Sequence, residues 1–330
     1  MGCSRRQFVQ HGGAAAGALA LTPALELLLA SAAGAVSRSR SRVALVRRPG
    51  VTLEGGRVRD RVVREMVFRA VQDATGLGSA RDAFASLFGP DDVVGIKVNC
   101  LAGKRMSTRP EVALALAEGV QLGGVKPFNV IIWERSSREL TRAGYTVQKE
   151  RFSLRVLGTD GDYEAEPTEA GSVGGCLSRL VTRTCTAQIN APVLKDHDLA
   201  GVSLSLKNWY GAIHNPNKYH DHQCSPYVAD LSALSPLRHK TRLVVCDALY
   251  AQCQGGPAYA PDFLWPYEAV LASTDPVALD ALGARILEDR RRAKGLPSLQ
   301  EAGRPPRWLA LAAAHGLGEA DLSRVQVIEA

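Results

Sequence analysis

The chain has 330 residues, 46% of them hydrophobic and 22% charged, and carries a formal net charge of +7. That length supports one large or two modest cores without covalent staples. Removing residues 1–41 takes away Arg5, Arg6, Arg38 and Arg40 against Glu26 and leaves about +4. The remaining arginines are scattered apart from Arg290-Arg291-Arg292, which reads as a solvated helix face, so the basic footprint of a nucleic-acid binder is excluded. No later segment is long and apolar enough to span a membrane.

Residues 1–41 read as a signal peptide and linker. Ser4-Arg5-Arg6-Gln7-Phe8-Val9 precedes a small, apolar run from Gly12 to Ala35, with Ala-x-Ala at Ala30 to Ala32 and Ala33 to Ala35. A charged start, an apolar middle and a small-residue cleavage site make an export signal. The pattern resembles the twin-arginine signal, with Gln10 in place of its usual lysine. The resemblance implies passage through the twin-arginine translocase, already folded, to the periplasm or another extracytoplasmic space. Six cysteines remain after the signal, with no Cys-x-x-Cys pair. Export permits disulfides among them in any of fifteen pairings, and the wide spacing argues against an iron–sulfur cluster within the chain.

Residues 42–330 read as a single α/β domain. Val43 to Val46 predicts a first strand, and Val62, Val63, Met66, Val67, Ala70, Val71 and Ala74 have helical spacing, ended by Gly76. A short helix around Ala80 to Phe88 precedes a buried strand over Asp91 to Asn99. Thr108 is the expected cap of a helix with Pro110 in its first turn, running to about Gln121, and Val130 to Trp133 is the next strand. Strand, helix, strand at this spacing is a parallel unit, whose ligands gather at strand ends. The region from Arg135 to Gly175 is looser, with an irregular insertion or small hairpin between Gly158 and Gly175. Further strands are expected at Cys185 to Asn190, Leu243 to Asp247, Ala269 to Thr274 and Arg324 to Ile328, and a helix starts at Asp275-Pro276. The fold class is therefore α/β, a mostly parallel sheet flanked by helices, with irregular insertions.

The stretch from Asn190 to His222 holds four of the seven histidines and is broken by Pro192, Gly201, Gly211 and Pro216. So many polar side chains on so punctuated a frame suit a loop lining a site. Val202, Leu204 and Leu206 alternate with Ser203, Ser205 and Lys207, predicting a strand whose polar face meets an anion or cofactor. The expected catalytic residues are His197, Lys207, Lys195 and Asp247. Neighbouring carboxylates would raise the pKa of His197, and burial would lower those of the lysines. Lys97, Asn99, Thr108, Ser203, Ser205 and Asn208 are expected to bind substrate or cofactor. His197, His220 and His222 are the candidate ligands of a divalent transition metal or a metal-bearing cofactor.

Gly95-Ile-Lys-Val-Asn99, Thr108-Arg-Pro-Glu111, Asn190-Ala-Pro-Val-Leu-Lys-Asp-His197, Gly201-Val-Ser-Leu-Ser-Leu-Lys-Asn208, Tyr219-His220, Asp247-Ala248, Gly255-Gly-Pro257 and Ser273-Thr-Asp-Pro-Val-Ala278 together resemble the domain-of-unknown-function family 362. Some members of that family carry an iron–sulfur ferredoxin module, which this chain lacks, so a redox partner would be a separate protein. His197, Gly201, Ser203 and Lys207 are more distantly similar to the lactate racemase family. There a lysine tethers a nickel-bearing nucleotide and histidines serve proton and hydride transfer. The glycine pair expected before that lysine is replaced here by Leu204-Ser205-Leu206. The resulting expectation is an exported, metal- or cofactor-dependent oxidoreductase or isomerase acting on a small anionic substrate. The alternative is a periplasmic accessory protein that binds an anion or metal without turnover.

Overall fold

The structure, a computed structural model, describes residues 40–330; the twin-arginine pattern lies outside them. Twelve strands occur among the described residues: β1 (Ser41–Arg47), β2 (Val94–Val98), β3 (Val130–Glu134), β4 (Arg155–Gly158), β5 (Thr168–Ala170), β6 (Val173–Gly175), β7 (Ala187–Ala191), β8 (Val193–His197), β9 (Gly201–Ser203), β10 (Thr241–Gln252), β11 (Leu264–Ser273) and β12 (Val325–Glu329). The helices are α1 (Asp60–Thr75), α2 (Ala80–Leu87), α3 (Pro110–Leu122), α4 (Ser137–Ala143), α5 (Ser205–Asn208), α6 (Tyr227–Ala233), α7 (Ser235–Arg238), α8 (Pro276–Ala293) and α9 (Trp308–Ala314).

The main sheet runs β12-β1-β11-β10-β7-β2-β3-β4, with β8 beside β10 and β9 beside β8. Strands β2, β3, β4, β7, β8 and β10 pair in parallel, as do β1 and β12. Strand β11 runs antiparallel to both its neighbours, and β9 folds back antiparallel on β8. Helices cover both faces, so the strands are apolar on both sides rather than alternating apolar and polar. Alternation instead divides residues between two cores. Val43, Leu45, Ile131, Trp133, Val244, Cys246 and Leu271 pack on the face covered by α8 and α9. Ala44, Val46, Val130, Ile132, Leu243, Val245 and Val270 pack beneath α1, α2 and α3.

Three expectations change. The strand predicted through Lys207 stops at Ser203, because the Asp280 carboxylate accepts hydrogen bonds from the backbone N–H groups of Ser205 (2.8 Å) and Leu206 (2.9 Å) and starts α5 there. Asp247 is not at a strand end: β10 continues to Gln252, leaving Asp247 1% exposed in mid-sheet. Thr108 does not cap α3. Its hydroxyl donates to Ala191 O (2.6 Å) and accepts from Asn99 N–H, while Arg109 occupies the cap position and its N–H donates to Asp247 Oδ2 (2.9 Å). Asp275 caps α8 as expected, accepting from Ala278 N–H.

Candidate active site

The carboxyl ends of β2 and β3 lie side by side, with Lys97 paired in register with Trp133 and Glu134 one residue beyond. Ligands of open parallel sheets gather at this edge. The Lys97 ammonium, 1% exposed, meets Glu134 Oε1 at 2.7 Å, Val98 O at 2.5 Å and Asn208 Oδ1 at 3.3 Å. All three of its protons are thereby engaged. Asn208 also accepts from Asn99 Nδ2 and donates to Asn190 Oδ1, tying β2, β7 and α5 into one buried network. Gly211 packs directly on this ion pair, and a Cβ there would sit 2.6 Å from Lys97 Cε, so only glycine allows the approach.

Strands β8 and β9 form a hairpin with a three-residue turn, its last pair being His197 and Gly201. Gly201 has φ +79°, which suits glycine. Lys195, His197 and Ser203 project from the same side of this hairpin, because alternate residues share a face and Lys195 pairs with Ser203. Asp196 projects from the other side. There it accepts from Arg304 (2.9 Å) and from Gly256 N–H (2.8 Å), and Arg304 also donates to His197 O.

These elements enclose a cavity of about 280 Å³. Of the expected residues, Lys97, Asn99, His197, Ser203, Lys207, Asn208 and His220 line it. Lys195, Asp247, Thr108 and Ser205 do not. The Lys195 ammonium is buried behind the wall, donating to Asn99 Oδ1 (3.0 Å), and burial pushes its pKa down to about 8. Ser205 is turned away, its hydroxyl donating to Pro276 O. Asp247, whose pKa is raised by burial, is a structural acceptor for Arg109 and Leu249 N–H. His222 is exposed, at φ +51°, and faces no part of the cavity.

At the centre stands Lys207, 6% exposed, its ammonium 3.1 Å from His220 Nε2 and 3.5 Å from the centre of the Tyr210 ring. Burial lowers its pKa to about 7, with Cys224 and Asp198 opposing the shift and Lys195 adding to it. His220 Nδ1 lies 3.1 Å from Pro216 O, which fixes the proton on Nδ1 and leaves Nε2 to accept from Lys207. The His197 ring stacks on His220 with centroids 5.5 Å apart. Burial first, then Lys207, His220, Lys195 and Arg304, push the His197 pKa down to about 2, opposite to the sequence expectation. The flanking carboxylates do not raise it, because Asp196 faces Arg304 and the Asp198 side chain is 63% exposed, although 2.9 Å from Nδ1. The ring is neutral at physiological pH. Leu199 and Ala200 N–H groups also reach Nδ1, leaving Nε2 without a hydrogen-bond partner among the described residues.

The metal expectation does not fit this geometry. Both nitrogens of His220 are engaged, His222 lies elsewhere, and among the described residues no group of three His, Cys, Asp or Glu side chains converges to hold an ion. The same shortage of free donors tells against a tethered metal-bearing nucleotide. Sequence reasoning missed Glu134, Tyr210, Asp280 and Arg304. Glu134 follows a predicted strand directly and was within reach of the strand-end rule; Asp280 and Arg304 act from positions 75 and 107 residues away from Ser205 and His197, a separation that local pattern does not reveal.

The family described as "Domain of unknown function (DUF362)" matches residues 94–285. The chain belongs to this family. The DUF362 segment contains every residue lining the cavity, whereas β1, α1, α9, β12 and Arg304 lie outside it. A solved structure of a Thermotoga maritima protein is similar at 13% identity and a TM-score of 0.43, covering 74% of this chain. The matched region spans 61% of that protein's length. No curated protein matches the sequence.

Proposed function

We propose that this DUF362 protein is an exported enzyme, of the isomerase or oxidoreductase kind, that moves a proton on a small anionic substrate. The observation that carries the reading is Lys207: a buried amine without a carboxylate partner among the described residues, 3.1 Å from an imidazole nitrogen, in a cavity large enough for a metabolite. A lysine held near pH 7 serves as acid and as base in comparable fractions, the condition under which general acid–base catalysis is most effective. Lys97 with Glu134 and Arg135 with Glu139 are internally neutralised, so among the described residues Lys207 is the cavity cation left to meet an anionic group. Neutral His197 and the Ser203 hydroxyl supply further polar groups on the same wall. The twin-arginine-like start supports export.

The test is solvent hydrogen exchange. A mixture of 2-hydroxy, 2-oxo and 2-amino carboxylic acids is incubated with the protein in D2O and followed by proton NMR. The expected result is deuterium at the carbon next to the carboxylate or carbonyl of one compound, at a rate reduced at least 100-fold in Lys207→Met, the scale of a lost acid–base group. Saturable binding of an acid with no exchange in either protein would favour the binding-protein alternative.

A further inference from the structure

Three lysines are buried around this site, and their surroundings differ in one chemical respect. Lys97 has an acceptor for each of its three protons, one of them a carboxylate. Lys195 reaches Asn99 Oδ1 and Met106 O from behind the wall and has no access to the cavity. Lys207 lines the cavity, has the single side-chain acceptor His220 Nε2 among the described residues, and lies over an aromatic face. A lysine so placed presents a free nitrogen lone pair to the cavity whenever it is deprotonated, and desolvation of this kind is a recognised route to a nucleophilic amine.

We infer that Lys207 is a covalent nucleophile that condenses with the carbonyl of a small 2-oxo acid. This deepens the function proposed above and rests on it. In the first step Lys207 Nζ forms a bond to the carbonyl carbon while the C=O π pair moves to oxygen. Nζ gives up a proton to His220 Nε2, and the oxygen takes a proton from solvent water, producing a carbinolamine. In the second step the C–O bond breaks, the proton held by His220 leaves with the oxygen as water, and the nitrogen lone pair closes the C=N bond. Amine, ketone and one proton drawn from solvent become iminium and water with no change of oxidation state.

The acid part of the substrate follows from charge. An iminium is a cation inside a cavity whose other cations, Lys97 and Arg135, are each matched by a glutamate, and whose remaining carboxylate, Asp198, has a side chain 63% exposed, so that solvent screens its charge. An added buried charge without a counter-charge is unfavourable. A carboxylate on the carbon next to the carbonyl supplies that counter-charge with the substrate. The burial that leaves Lys207 at about 7 makes the amine available in neutral solution, where an exposed lysine is almost wholly protonated.

The experiment uses the wild-type protein. It is incubated at pH 7 with pyruvate, glyoxylate or 2-oxoglutarate, reduced with cyanoborohydride, digested and mapped by mass spectrometry. The expected result is one reduced adduct on the peptide containing Lys207, at oxo acid concentrations that leave the exposed Lys218 unmodified. Modification of Lys218 and Lys207 to the same extent, or no adduct with any of the three acids, would overturn the inference. Deuterium exchange into a small acid without a Lys207 adduct would overturn the covalent step and leave the acid–base reading standing. Absence of both would overturn both.

Discussion

Two effects oppose each other at Lys207. Burial penalises the ammonium, and the Tyr210 ring 3.5 Å away favours it by about 1–2 kcal/mol. Burial is the larger, and the outcome is an amine at about 7 in the folded chain against an ordinary 10.5. The unfolded chain therefore binds a proton at this residue between pH 7 and 10.5 that the folded chain does not, so the Lys207 contribution to stability grows as pH rises through that window and is lost as pH falls back toward 7. Urea melts of wild type and Lys207→Met across that range should show the wild type rising more steeply with pH, by close to one proton. Equal slopes would mean the amine is not depressed. Lys195, at about 8, is common to both proteins and cancels from the difference.

The hairpin of β8 and β9 and the single turn of α5 place the reactive groups, and each is held by a buried charge from a distant part of the chain. Arg304 fixes the hairpin from below through Asp196 Oδ2 and His197 O. Arg304→Ala should cost about 3–5 kcal/mol by leaving the Asp196 carboxylate, 0% exposed, without its cation; a loss below about 1 kcal/mol in chemical denaturation would show the pair to be dispensable. Period-two alternation did disclose that Ser203 and Lys207 share an environment. It did not disclose the change from strand to helix between them, because Asp280 captures the Ser205 and Leu206 N–H groups from a helix far along the chain. The same limit explains Asp247, where the apolar run continues through Ala248, Leu249 and Ala251 and the strand continues with it.

Over the whole molecule, the α/β class was legible because strands buried on both faces read as continuous apolar runs, and helices announced themselves by spacing and by Gly76 and Asp275 at their ends. The antiparallel direction of β11 was not, since a strand carries the same pattern in either direction. The insertion after Arg135 contributes a small hairpin, β5 and β6, as expected. Six cysteines among the described residues are unpaired and five are buried, with burial raising the thiol pKa of all five, so they pack as small apolar side chains in the reduced form. For the proposed export, replacing Arg5 and Arg6 together with Lys should leave the full-length chain inside the cytoplasm of a twin-arginine-competent bacterium, measured by fractionation and immunoblotting; undiminished appearance in the periplasm would contradict that route.

Both proposed roles of Lys207 depend on the protonation of one amine, and heteronuclear NMR of the lysine Nζ and Cε signals measures it directly. The signal absent from Lys207→Met should titrate with a midpoint close to 7, well separated from the exposed lysines. A midpoint near 10.5 would place an ordinary ammonium in the cavity and contradict both the acid–base role and the nucleophile.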